Sequence, residues 1–92
     1  MKQIKKIFDR FFNNQHPIKH KIQVRWFDDT KNFLILFHYH HVLLIYDIKK
    51  NESIYEWYEV KTDKAILDAS KKYLNDRFEG ENNENDTFLF NR

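Results

Sequence analysis

The sequence predicts an α+β domain: an N-terminal helix, a three- or four-stranded antiparallel meander, a C-terminal helix and a flexible acidic tail. Three observations carry this. Apolar residues recur at helical spacing near both ends of the chain. Between them lie runs rich in Ile, Val, Phe and Tyr, some alternating with polar residues and one apolar almost throughout. Short clusters of Asp, Asn, Lys and Thr separate the runs, and such residues favour turns over regular structure. A single domain is expected over residues 1–80, with the tail over 81–92.

In the first element Ile4, Ile7, Phe8, Phe11 and Phe12 fall on one helical arc, and Lys2, Lys5, Lys6, Asp9 and Arg10 on the other. Asn13 and Asn14 suit its C-terminus because Asn tolerates the left-handed backbone, and Pro17 stops it. In the next, Ile22, Val24 and Trp26 alternate with Lys21, Gln23 and Arg25, the pattern of a half-buried strand. Residues 28–32, DDTKN, form a turn.

Phe33 to Ile48 is 16 residues long, beyond the usual ~3–10 of one strand. Its only polar cluster is His38–Tyr39–His40–His41. Two strands, about 32–38 and 42–48, are therefore expected to meet there, with one long bent strand as the alternative. Both faces of this stretch are apolar, which suits the centre of the sheet. After the turn KKNES, the run IYEWYEV reads as a further strand. Its parity sets Ile54, Tyr58 and Val60 towards the core, together with Glu56. Tyr55 and Trp57 then fall on the far side, beside Glu59. The second helix follows, capped by Thr62 or Asp63 and ended at Gly80. Its apolar face is Ile66, Leu67, Ala69, Tyr73, Leu74 and Phe78, with Arg77 intruding. Residues 80–87 (GENNENDT) hold no apolar side chain and read as disordered; Phe88, Leu89 and Phe90 close the tail.

Composition excludes several classes of chemistry. With no cysteine there is no disulfide or thiolate site, and one glycine cannot build a phosphate-cradling loop. The serines, Ser53 and Ser70, stand in no recognisable nucleophile–base pattern. No catalytic residue and no cofactor are expected. His38 and His40 would share a face if both lay on one strand, but two imidazoles do not complete a metal site, so no metal is expected. The histidines read instead as a polar bend where the chain leaves a doubly buried sheet. No apolar run is long enough to span a membrane, so no stable insertion is expected, and the cytoplasm is the default location.

Two binding functions remain. Aromatic residues make up 17% of the chain, more than two helices on one sheet face can cover. Phe27, Tyr39, Tyr55 and Trp57 are thus expected at a surface that binds another protein, since Tyr and Trp concentrate at interface hot spots. Lys, Asn, Ile, Phe and Tyr account for 44 of 92 residues, a usage typical of AT-rich genes. A small non-enzymatic inhibitor from a phage or mobile element of a low-GC bacterium, of the anti-defence (anti-CRISPR-like) or immunity type, fits this profile. The alternative is nucleic acid. Residues 1–50 carry ten Lys and Arg against four Asp and Glu, whereas residues 51–92 carry six against ten. Lys5, Lys6, Arg10, Lys19, Lys21 and Arg25 are the residues that would meet phosphates, with exposed rings stacking on bases.

Overall fold

The structure, a computed structural model, describes the backbone of residues 2–16 and 21–89 and the side chains of residues 3–16 and 21–79. The element order is α1 (Lys2–Phe12), β1 (Ile22–Trp26), β2 (Phe33–His38), β3 (His41–Asp47), β4 (Glu52–Glu56) and α2 (Lys61–Leu89). The four strands form an antiparallel meander in the order β1-β2-β3-β4. This is the predicted α+β fold, with four strands and a break at the histidines. α2 does not end at Gly80 as expected: its backbone continues as helix to Leu89, through most of the segment expected to be a flexible tail, since a single glycine costs a helix interior only about 1 kcal/mol. The side chains beyond residue 79, with the Phe88–Phe90 end, lie outside the described side chains.

α1 ends as its asparagines predict. Asn14 takes φ 56°, Gln15 N donates to Arg10 O at 2.9 Å, and Asn14 N donates to Phe11 O at 3.2 Å. These two bonds are the Schellman closure, with Asn in place of the usual glycine. The inner arc of α1 buries Ile4 and Phe8. Phe8 stacks on Tyr73 of α2 at 4.9 Å, and Phe11 meets Trp26 of β1 at 5.0 Å. The Tyr73 hydroxyl donates to Asp9 across the helix pair at 2.6 Å. Partial burial and that bond push the phenol up to about 12, so it stays a donor at any physiological pH. Arg77 resolves its place in the apolar arc by lying over the Phe12 ring, 4.2 Å from its centroid, a cation–π contact.

Both helices cover one face of the sheet. Ile22, Leu34, Leu36, Leu44 and Tyr46 are buried there, and the register sets them side by side. The β2–β3 pairing skips Leu43, since Leu36 faces Leu44 while Phe37 faces Val42. This bulge lets Leu43 and Leu44, neighbours in sequence, both be fully buried. From α2, Ile66, Leu67, Ser70 and Leu74 complete the core.

The prediction for IYEWYEV is corrected. β4 begins two residues earlier and ends at Glu56, and a second register shift skips Ile54 between Tyr55 and Ser53. Parity counted from Ile54 therefore fails. Ile54, Tyr58 and Val60 are exposed rather than core, and Trp57 packs partly against the core rather than on the far side. Tyr55 does lie on the far side, opposite Ile45. Glu56 lies on the helix face as expected, held by Lys71 Nζ at 3.0 Å and by the Ser53 hydroxyl.

Ser70 is fully buried, and its hydroxyl has no hydrogen-bond partner among the described residues. A buried unpaired hydroxyl costs about 1–3 kcal/mol, so Ser70→Ala should raise stability by about 1 kcal/mol in a urea titration. A loss of more than about 1 kcal/mol, the worth of a typical bond, would show that the hydroxyl is bonded after all.

Candidate interaction surface

The three histidines that interrupt the apolar run separate at the β2–β3 hairpin. His38 continues the alternation of Leu34 and Leu36 and so points under the helices, where it is 9% exposed. Tyr39 and His40 make the two-residue turn, with Tyr39 at φ 58°. Positive φ at the first central position is the twist that suits a tight hairpin, although glycine is its usual occupant. His40 and His41 are exposed. His38 and His40 therefore do not share a face, and the reading of all three as a solvent-seeking bend is corrected for His38. Among the described residues no three His, Asp or Glu gather to hold one metal ion.

His38 is buried because it has a partner. Its Nδ1 lies 2.7 Å from Asp63 Oδ1 in the first turn of α2, and Asp63 is only 5% exposed. The other carboxylate oxygen accepts Glu59 N at 3.3 Å and Val60 N at 3.4 Å. The helix starts at Lys61, so neither Thr62 nor Asp63 is the N-cap residue expected; Asp63 instead closes the chain entry to α2 from inside the first turn, as the third helical residue of a capping box does. The His38 bond, assisted by the two backbone donors and opposed by burial, holds its carboxyl below the usual range. An ionised carboxylate only accepts, so Nδ1 of His38 carries the proton. One pair thereby fastens the hairpin tip to the β4–α2 connection.

Rings ring this fastening. Tyr39 is 60% exposed, with its ring 4.7 Å from His38 and under Lys21 Nζ at 5.7 Å. His41 lies against Trp57 at 5.2 Å, and Trp57 N donates to Leu43 O at 2.9 Å. On the same connection Tyr58 is 49% exposed and Val60 54%; Lys64 Nζ lies 5.4 Å over the Tyr58 ring. The hairpin end thus exposes Tyr39, His40 and His41, and the connection fastened to it exposes Tyr58 and Val60, with half-buried Trp57 against His41. The underlying backbone is pinned by a buried hydrogen bond to a carboxylate.

The expected protein-binding residues do not form one patch. Tyr39 and Trp57 both lie at the hairpin end, beside His38 and His41 respectively. Phe27 lies at the opposite end of the sheet, against Phe33 at 6.4 Å. Tyr55 sits on the far face of edge strand β4. The expected basic set divides as well. Lys5, Lys6 and Arg10 belong to α1, above the helix-covered face. Arg25 pairs with Ile35 on the other face, and Lys21 flanks the hairpin tip; Lys19 lies outside the described residues. Two of these groups are engaged: Lys5 with Asp9 at 2.7 Å, and Arg10 Nε with His16 O at 2.8 Å. The groove between α1 and α2, about 560 Å³, is lined by Ile4, Ala69 and Tyr73. At its rim Lys5 and Lys72 are matched by Asp9 and Asp76.

The sequence reading missed Asp63 as the partner of His38, and Tyr58 and Val60 as surface residues. The first had a partial signal: His38 shares parity with Leu34 and Leu36, which marks it as an inward group. Among the described residues no helix is long and apolar enough to cross a membrane. The chain matches no family model, no curated protein and no solved structure.

Proposed function

We propose that this protein is a non-enzymatic binding module that recognises another protein through the hairpin end. The observation that carries the reading is the exposure of Tyr39 at the hairpin end and of Tyr58 and Val60 on the connection fastened to it, with Trp57 half-buried. Side chains of this kind, held at loop tips by a rigid scaffold, are where binding function concentrates. Tyr contributes large contact area with little rotamer entropy to lose. The pinned backbone beneath means that little ordering is needed on association. His40 of the turn and His41 at the start of β3 add donors and acceptors at the rim.

The AT-rich residue usage and small size support an inhibitor of the anti-defence or immunity type, from a phage or mobile element of a low-GC bacterium. Nucleic acid is the weaker reading, because the basic residues that would track a phosphate backbone are spread over different faces. Affinity capture from a low-GC bacterial lysate, with and without nuclease, distinguishes the two. A protein retained after nuclease treatment, and lost with Tyr39→Ala/Tyr58→Ala, supports the proposal. Capture that vanishes entirely with nuclease supports nucleic acid.

A further inference from the structure

The face of the sheet opposite the helices carries its own row of apolar side chains. Phe33, Ile35 and Phe37 of β2 alternate with the buried Leu34, Leu36 and His38, so they point away from the helices. Val42 and Ile45 of β3 pair with Phe37 and Ile35 on that same side. An antiparallel sheet with one solvated face ordinarily alternates apolar inward with polar outward, and the two central strands break that rule. The edge strands do not. β1 offers Gln23 and Arg25 to this face, and β4 offers Glu52 and Tyr55. The face is thus an apolar centre with a cationic edge on one side and an anionic, aromatic edge on the other. Arg25, Ile35, Ile45 and Tyr55 stand in one cross-strand row. The Arg25 guanidinium contacts only the Gln23 amide at 3.2 Å and the Phe37 ring at 6.0 Å, with no carboxylate partner among the described residues.

We propose that this face pairs with the same face of a second copy of the chain, in a two-fold sandwich whose axis runs parallel to the strands. The charge pattern selects both the partner and the axis. A dyad along the strands lays β1 of one copy over β4 of the other. Each Arg25 then meets the Tyr55 ring and Glu52 carboxylate of its partner, and the apolar centres meet each other. A dyad across the strands would instead lay β1 over β1 and bring the two Arg25 side chains together. Aligned packing of two sheets at about 10 Å is a standard sandwich geometry. Asp47, the other carboxylate in the face, is already engaged by Lys50 N at 3.1 Å. Four strands at about 4.8 Å and about six residues at about 3.4 Å give a face of roughly 19 by 20 Å. That is roughly 400 Å² of projected area per copy, below what holds a standard specific pair, so the association is weak and concentration-dependent. The surface is separate from the hairpin end, and a pair formed this way leaves both hairpin ends free.

Sedimentation equilibrium from low micromolar to near millimolar concentration tests this. The wild type should pass from one chain of 11.5 kDa to twice that mass and no further. Ile45→Glu should remain a single chain at every concentration while keeping its far-ultraviolet circular dichroism. Arg25→Glu, a change at an exposed position, should weaken association at least about tenfold, because the two-fold axis repeats the contact and the substitution reverses its charge in both places. Arg25→Glu combined with Glu52→Arg should recover it. A wild type that stays a single chain throughout overturns the proposal and leaves the face to another protein. A dimer indifferent to Ile45→Glu and Arg25→Glu overturns it too, because the contact then lies elsewhere. Failure of the double exchange to recover association overturns the proposed axis.

Discussion

Asp63→Ala should cost about 3 kcal/mol of folding stability, as removing the charged acceptor of several buried donors does. The substitution leaves the His38 imidazole buried without its 2.7 Å partner and strips Glu59 N and Val60 N of their acceptor. Asp63→Asn should cost less, since an amide oxygen can still accept from the backbone, and the difference between the two variants isolates the capping share. Urea titrations with matched slopes measure both; a loss below about 1 kcal/mol for Asp63→Ala, the size of an exposed ion pair, would mean the pair is solvated. The pH dependence has a definite sign. The Asp63 carboxyl is held low in the fold, first by His38 and then by the backbone donors. A depressed folded pKa gives stability that is fully present above the unfolded value of about 3.9 and is lost as pH falls through the folded value. Wild-type stability should therefore fall more steeply than that of Asp63→Asn as the solution is acidified from about pH 5 downwards.

Trp57→Ala should cost about 2 kcal/mol in stability, roughly half the loss for a fully buried large ring. The indole packs partly on the core, and its ring neighbour is His41. By contrast Tyr58→Ala, one residue on and exposed, should leave stability within about 0.5 kcal/mol, as surface changes do. Thermal melts of the two variants decide this. Equal losses, or a larger loss for Tyr58→Ala, would put Tyr58 inside and return the segment to the parity read from its sequence.

That segment shows what a sequence can carry and where it stops. α1, β1 and the hairpin follow from local patterns: helical spacing with Asn at the exit, strict alternation through Ile22, Val24 and Trp26, and a polar interruption in an overlong apolar run. Those patterns act within a few residues and the structure preserves them. β4 fails because parity survives only while the ladder is regular. The skipped residue Ile54 loses its inward place, Tyr55 and Glu56 keep theirs, and past the strand end at Glu56 the assignments of Trp57, Tyr58 and Val60 no longer hold. Nothing in the composition of IYEWYEV marks a bulge. The His38–Asp63 bond joins residues 25 apart, and only the placement of α2 over the hairpin creates it. The apolar far face was visible as a run without polar alternation. Its strands are indeed the central pair, but helices cover only one side of them.

The central claim is that the hairpin end is the surface that meets another protein. Site-specific photo-crosslinking tests it most directly, with the reactive group placed at Tyr39, at Tyr58 and, as a control, at exposed Lys6 on the outer side of α1. The account predicts that positions 39 and 58 join the same captured protein, that position 6 does not, and that nuclease leaves the products unchanged. Crosslinks confined to position 6, or products at position 39 that consist of nucleic acid, would contradict it.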